Sequence, residues 1–135
     1  MKNTFLPWLA VIVILVAMPY CKKKSSDSCG TETSLSVTTT PAAGTTEAPA
    51  PGPTFPLKVS ITSAIPGSGV TIEVKARPDG SATTFFSEQR TSSTKDNDFT
   101  ITGAPATVVC LVEISVTSKT CGTNKWTGSY RFSKK

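Results

Sequence analysis

The stretch TVVCLVEISVTS, residues 107–118, decides how this chain reads. Val108, Cys110, Val112, Ile114 and Val116 fall on one face of an extended strand. Thr107, Val109, Leu111, Glu113, Ser115 and Thr117 fall on the other. This is the period of two that a strand imposes, because successive Cβ atoms point to opposite sides of the backbone. A polar turn at 119–124 follows. Trp126, Gly128, Tyr130 and Phe132 then alternate with Thr127, Ser129 and Arg131, which predicts a second strand returning beside the first.

Working back toward the N-terminus, the same pattern recurs. Leu57, Val59 and Ile61 alternate with Lys58, Ser60 and Thr62, and Pro66-Gly67-Ser68-Gly69 predicts a turn. Val70, Ile72, Val74 and Ala76 alternate with Thr71, Glu73 and Lys75, and Pro78-Asp79-Gly80 is a second turn signal. A third strand is expected over 82–90, a polar loop over 91–98, and a short strand at Phe99 and Ile101 that ends at Gly103-Ala104-Pro105. About six strands and no helix predict an all-β domain, an immunoglobulin-like β-sandwich over residues 57–135. The final hairpin, TVVCLVEISVTS followed by NKWTGSYRFSKK, resembles the last two strands of immunoglobulin-like modules in bacterial envelope proteins. The Cys…Trp…Cys spacing of true immunoglobulin domains is absent.

The N-terminus carries a different signal. Lys2 precedes an uncharged stretch whose apolar core, LAVIVILVAM at 9–18, has the length of a signal-peptide h-region and is short for a membrane span. The run VAMPYCKKKSS, residues 16–26, resembles the start of a bacterial lipoprotein, of the Bacteroides group in particular. The resemblance implies a signal peptide over 1–20, cleavage before Cys21, and a lipid such as palmitate on Cys21 that anchors the chain, with the outer membrane as its expected address. Tyr20 stands where such sequences prefer a small residue. Residues 21–56, with five prolines in TTTPAAGTTEAPAPGPTFP (38–56) and no apolar periodicity, read as a disordered Ser/Thr/Pro-rich stalk.

Charge and composition restrict function. The net charge is +5, of which Lys22, Lys23 and Lys24 supply three; the basic residues beyond Leu57 are scattered, and nucleic-acid binding wants them on one face. No histidine is present, which removes the commonest general base and metal ligand, so neither a cofactor nor an enzymatic activity is expected. With Cys21 lipidated, Cys29, Cys110 and Cys121 leave an odd thiol. An unbroken strand through 107–117 keeps Cys110 too far from Cys121 to pair, and Cys110 reads as a small buried hydrophobe.

Few residues stand out as candidate sites. Asp96-Asn97-Asp98 in the polar loop offers oxygens to calcium or forms a solvated turn. Glu73 and Glu113 fall on solvent faces, with nothing pairing them as acid and base. Trp126 and Tyr130 offer a stacking platform for a sugar or, more simply, core. Of the neighbours Phe85 and Phe86, one is expected to face outward as a partner-binding anchor or an isolated apolar side chain. The reading is a membrane-anchored, non-catalytic module for protein or glycan contact. The alternatives are a periplasmic enzyme inhibitor or accessory subunit acting through the 91–98 loop, or a structural spacer.

Overall fold

The computed structural model describes residues 28–135, so the signal segment, Cys21 and the three lysines lie outside the described residues. Among these residues are a 3₁₀ turn at Ser28–Thr31 and seven strands: β1 (Val37–Thr40), β2 (Thr54–Ile61), β3 (Val70–Pro78), β4 (Phe86–Ser92), β5 (Asp96–Thr102), β6 (Val109–Ser118) and β7 (Lys125–Ser133). They form two antiparallel sheets, ordered β1-β2-β5 and β4-β3-β6-β7. The chain crosses from one sheet to the other after β2, β4 and β5, which gives a sandwich-like, all-β domain.

The alternation read from the sequence places the core. Leu57, Val59 and Ile61 of β2 and Phe99 and Ile101 of β5 meet Val70, Ile72, Val74 and Ala76 of β3 and Cys110, Val112, Ile114 and Val116 of β6 in one buried cluster. The outward positions are polar, as expected for sheets with one solvated face. Leu111 and Val109 are apolar exceptions; Leu111 is buried on the outer face between its register partners Arg77 and Arg131, long side chains whose stems shelter apolar surface. Across the sheets, Phe55 and Phe132 stack with centroids 4.4 Å apart. On the open side, Arg90 of β4 lies 4.3 Å over the Phe99 ring of β5, donates to the Asp98 carbonyl at 3.1 Å and pairs with Glu88. An inward-pointing charge on an edge strand resists edge-to-edge pairing with another chain.

Several boundaries differ from the sequence reading. Much of the expected stalk, before Leu57, is built into the domain. Val37–Thr40 pairs with β2, and residues 44–50 run along β7. The third strand is displaced from 82–90 to Phe86–Ser92. The expected 91–98 loop is reduced to residues 93–95, because β5 begins at Asp96 and pairs with β2 over its whole length. β6 starts at Val109 because Thr107 takes a positive φ of 62°, a strained conformation for a β-branched residue. Val108, expected in the core, is consequently 37% exposed, and Val109 beside it 45%.

Cys29 and Cys121 form a disulfide with Cα atoms 5.1 Å apart, and Cys110 is a buried free thiol. Cys110 lies in the core as expected. Burial pushes its thiol above the ordinary cysteine range. The disulfide fastens the first described residues to the β6–β7 turn, and hydrogen bonds reinforce it. Asn124 accepts from the Leu35 N–H at 2.9 Å and donates to Glu32 and to the Thr33 carbonyl; Thr120 donates to Glu32. Hydrogen bonds from Thr120, Ser118 and Asn124 hold the Glu32 carboxyl below its usual range. Replacing both Cys29 and Cys121 by Ser is expected to lower stability by about 2–4 kcal/mol, because the bond closes a long loop in the unfolded chain. Denaturant unfolding under non-reducing conditions checks this, and an unchanged midpoint would contradict it.

Trp126 faces inward opposite Val116 and packs against the core half-buried. Its ring lies over Gly128: a Cβ built there would stand 2.4 Å from Trp126 Cη2 and 3.1 Å from Ala43 Cβ. Gly128→Ala is therefore expected to displace the indole and cost about 1–3 kcal/mol. Denaturant unfolding together with a red-shifted Trp126 emission would show it; an unchanged spectrum and midpoint would refute it.

Candidate functional site

A concave surface follows from the path of the first strand. β1 pairs antiparallel with β2 only as far as Thr40, opposite Lys58. At Thr40-Pro41, a cis peptide, the chain leaves this sheet and turns through the hydrogen bond from Thr45 Oγ1 to the Ala42 carbonyl, 2.7 Å. It then runs parallel to β7 of the other sheet. Gly44 N–H donates to Ser129, Glu47 N–H to Arg131, Ala50 N–H to Ser133, and Arg131 N–H returns a bond to Thr45, all at 2.7–3.1 Å. The first half of β2 is left without a neighbour on that side.

Pro56 sits at this free edge for a readable reason. Ile61 N–H points to Lys95 on the β5 side, and Thr62 N–H to Ser36 on the β1 side. Alternation carries Lys58 and then Pro56 to the β1 side, where β1 has already departed. Proline has no N–H to lose there, and its place at an open edge denies a donor to an incoming strand.

Between this edge and the strap of residues 41–50 opens a cleft of about 500 Å³. Phe55, Leu57, Phe99, Tyr130 and Phe132 form its apolar wall. Pro41, Ala48, Ala50 and Pro56 continue it, and Glu47, Lys58, Asp98, Thr100 and Ser133 supply polar groups. The volume and the mix of aromatic wall with few polar groups suit a small organic ligand. Tyr130 is 2% exposed, and its hydroxyl is buried without a hydrogen-bond partner among the described residues. Desolvation, and secondarily the Glu47 charge, push its pKa up, so it is protonated at neutral pH. The Glu47 carboxylate accepts from Thr45 Oγ1 at 3.0 Å, and neither it nor Asp98 has an ion-pair partner within 4 Å among the described residues.

Of the residues singled out from the sequence, Asp98 and Tyr130 meet at this cleft and the others are dispersed. Asp96 and Asp98 stand on the outward face of β5, not in a loop; Ser60 Oγ donates to Asp96 at 2.6 Å, and Lys58 is the register partner of Asp98. Asn97 between them points inward, its amide donating to the Thr94 carbonyl at 3.1 Å. Among the described residues no three His, Cys, Asp or Glu side chains gather as metal ligands. Phe85 and Phe86 both pack half-buried against the core, where one was expected to face outward. Phe85 precedes β4 and lies beside Gly103, which frees it from the strand alternation. Tyr130 and Trp126 belong to the core side of β7. Glu73 and Glu113 share a shallow polar depression on the outer face of the four-stranded sheet, each held by its own cation: Lys75 at 2.6 Å and Arg77 at 3.1 Å. Sequence reasoning missed the cleft because Glu47, Ala48 and Ala50 lay in the presumed stalk.

No protein-family model, curated protein or solved structure matches the chain.

The unpartnered Tyr130 hydroxyl makes a stability prediction. A buried hydroxyl without a partner costs about 1–3 kcal/mol of desolvation. Tyr130→Phe keeps the ring packing and is expected to leave the free protein as stable as wild type or more stable by about 1 kcal/mol. A loss of more than that in denaturant unfolding would contradict the assignment.

Proposed function

We propose that this chain is an exported lipoprotein, anchored in a bacterial envelope membrane through Cys21, whose sandwich domain is a non-catalytic binding module with the β2–β7 cleft as its site. The observation that carries this reading is the Cys29–Cys121 disulfide. Such bonds persist in oxidising, extracytoplasmic compartments, and this one begins eight positions after the cysteine that closes the signal-like segment. The strand order β1-β2-β5 against β4-β3-β6-β7 is, in this reading, an immunoglobulin-like arrangement in which β4 lies beside β3 rather than β5.

The domain boundary changes how the module is presented. From Cys21 to Cys29 the extended chain spans at most about 28 Å. The domain is therefore held near the membrane, and a long flexible reach plays no part. The 91–98 segment that suggested an inhibitory loop is mostly strand, with residues 93–95 as its turn. Palmitate labelling of the expressed protein tests the anchor. Label on the wild type that is lost in Cys21→Ala is expected; label on neither would refute lipidation.

A further inference from the structure

We infer that the cleft between β2 and the 41–50 strap binds a small organic amine, an ammonium group carried on an apolar or aromatic body. The inference rests on the reading of the cleft as the ligand site and adds the class of ligand.

Three observations point to it. First, five buried apolar or aromatic side chains, Phe55, Leu57, Phe99, Tyr130 and Phe132, line the cleft and offer contact to an apolar body. Aromatic faces also attract cations through their quadrupoles. Second, the charges at the cleft are unequal: Glu47 and Asp98 against Lys58 alone, with neither carboxylate ion-paired among the described residues. An ammonium supplies the missing charge and three donors, and charge-assisted hydrogen bonds are the strong ones. Third, Tyr130, a residue of this wall, carries a buried hydroxyl with no hydrogen-bond partner among the described residues.

A peptide strand is the poorer occupant. Added strands bind by main-chain hydrogen bonds, and both banks of this cleft are interrupted by proline: Pro56 on one, Pro41 and Pro49 on the other. The opening therefore favours a compact ligand that buries apolar surface and presents one cationic head.

The test is titration of the full-length chain, in neutral detergent, with three probes of one shape: 2-phenylethylamine, 2-phenylethanol and phenylacetate. Ring signals of Tyr130 and Phe132 are followed by NMR. Saturable shifts are expected with the amine tightest and the acid weakest, about tenfold or more apart, as complementary against like charge predicts. Glu47 is exposed, so Glu47→Gln should fold normally and remove most of the advantage of the amine while leaving the alcohol unchanged. If the alcohol binds as tightly as the amine in both proteins, the cleft is a ligand site and the amine inference is overturned. If no probe gives a saturable shift at these rings, the cleft reading falls with it.

Discussion

Between Thr40 and Gly44 the backbone stops bonding to β2 and begins bonding to β7, and much of what is distinctive in this domain depends on that exchange. One segment closes an edge of each sheet, so neither sheet is covered along its full length. The uncovered half of β2 exposes a flank of the inter-sheet core, which in an uninterrupted sandwich would be sealed. An aromatic-walled cleft in so small a domain is thus a by-product of topology and needs no inserted loop.

The same exchange explains the distribution of proline. Along residues 38–56 the prolines fall where no ladder donor is required, while Gly44, Glu47 and Ala50 supply the N–H groups that bond to β7. Main-chain pairing of this kind leaves almost no trace in side-chain hydrophobicity. A segment held by its backbone and by a disulfide has the composition of a linker and the behaviour of a strand.

That contrast sets what could be read from the sequence. β2, β3, β6 and β7 were legible because each buries one face, so the apolar residues had to alternate: Val70 to Ala76 and Cys110 to Val116 are the clearest cases. β1 was not legible, because only Val37 and Thr39 face inward, too few for a pattern. β5 was legible at Phe99 and Ile101, but its first half was hidden by Asn97, a polar residue at an inward position whose amide is satisfied by the crossing turn. The partner of Cys29 was also out of reach, since proximity across the fold cannot be deduced from spacing in a chain with three candidates. The candidate site was legible in Tyr130, there as core, and in Asp98, there as a loop residue; the opposite bank lay in residues assigned no structure.

The pairing of Cys29 with Cys121 also sets an order-of-assembly problem. Ribosomes make the chain from its N-terminus, and Cys110 emerges before Cys121, yet it is Cys121 that pairs with Cys29. The two competitors lie at opposite ends of the β6 strand, one buried and the other in the turn that follows it. Pairing of β6 with β3 withdraws Cys110 into the interior, where its raised pKa starves it of thiolate. The central sheet thereby keeps one sulfur out of the oxidation, and of the two competitors it leaves Cys121 as the one bonded to Cys29.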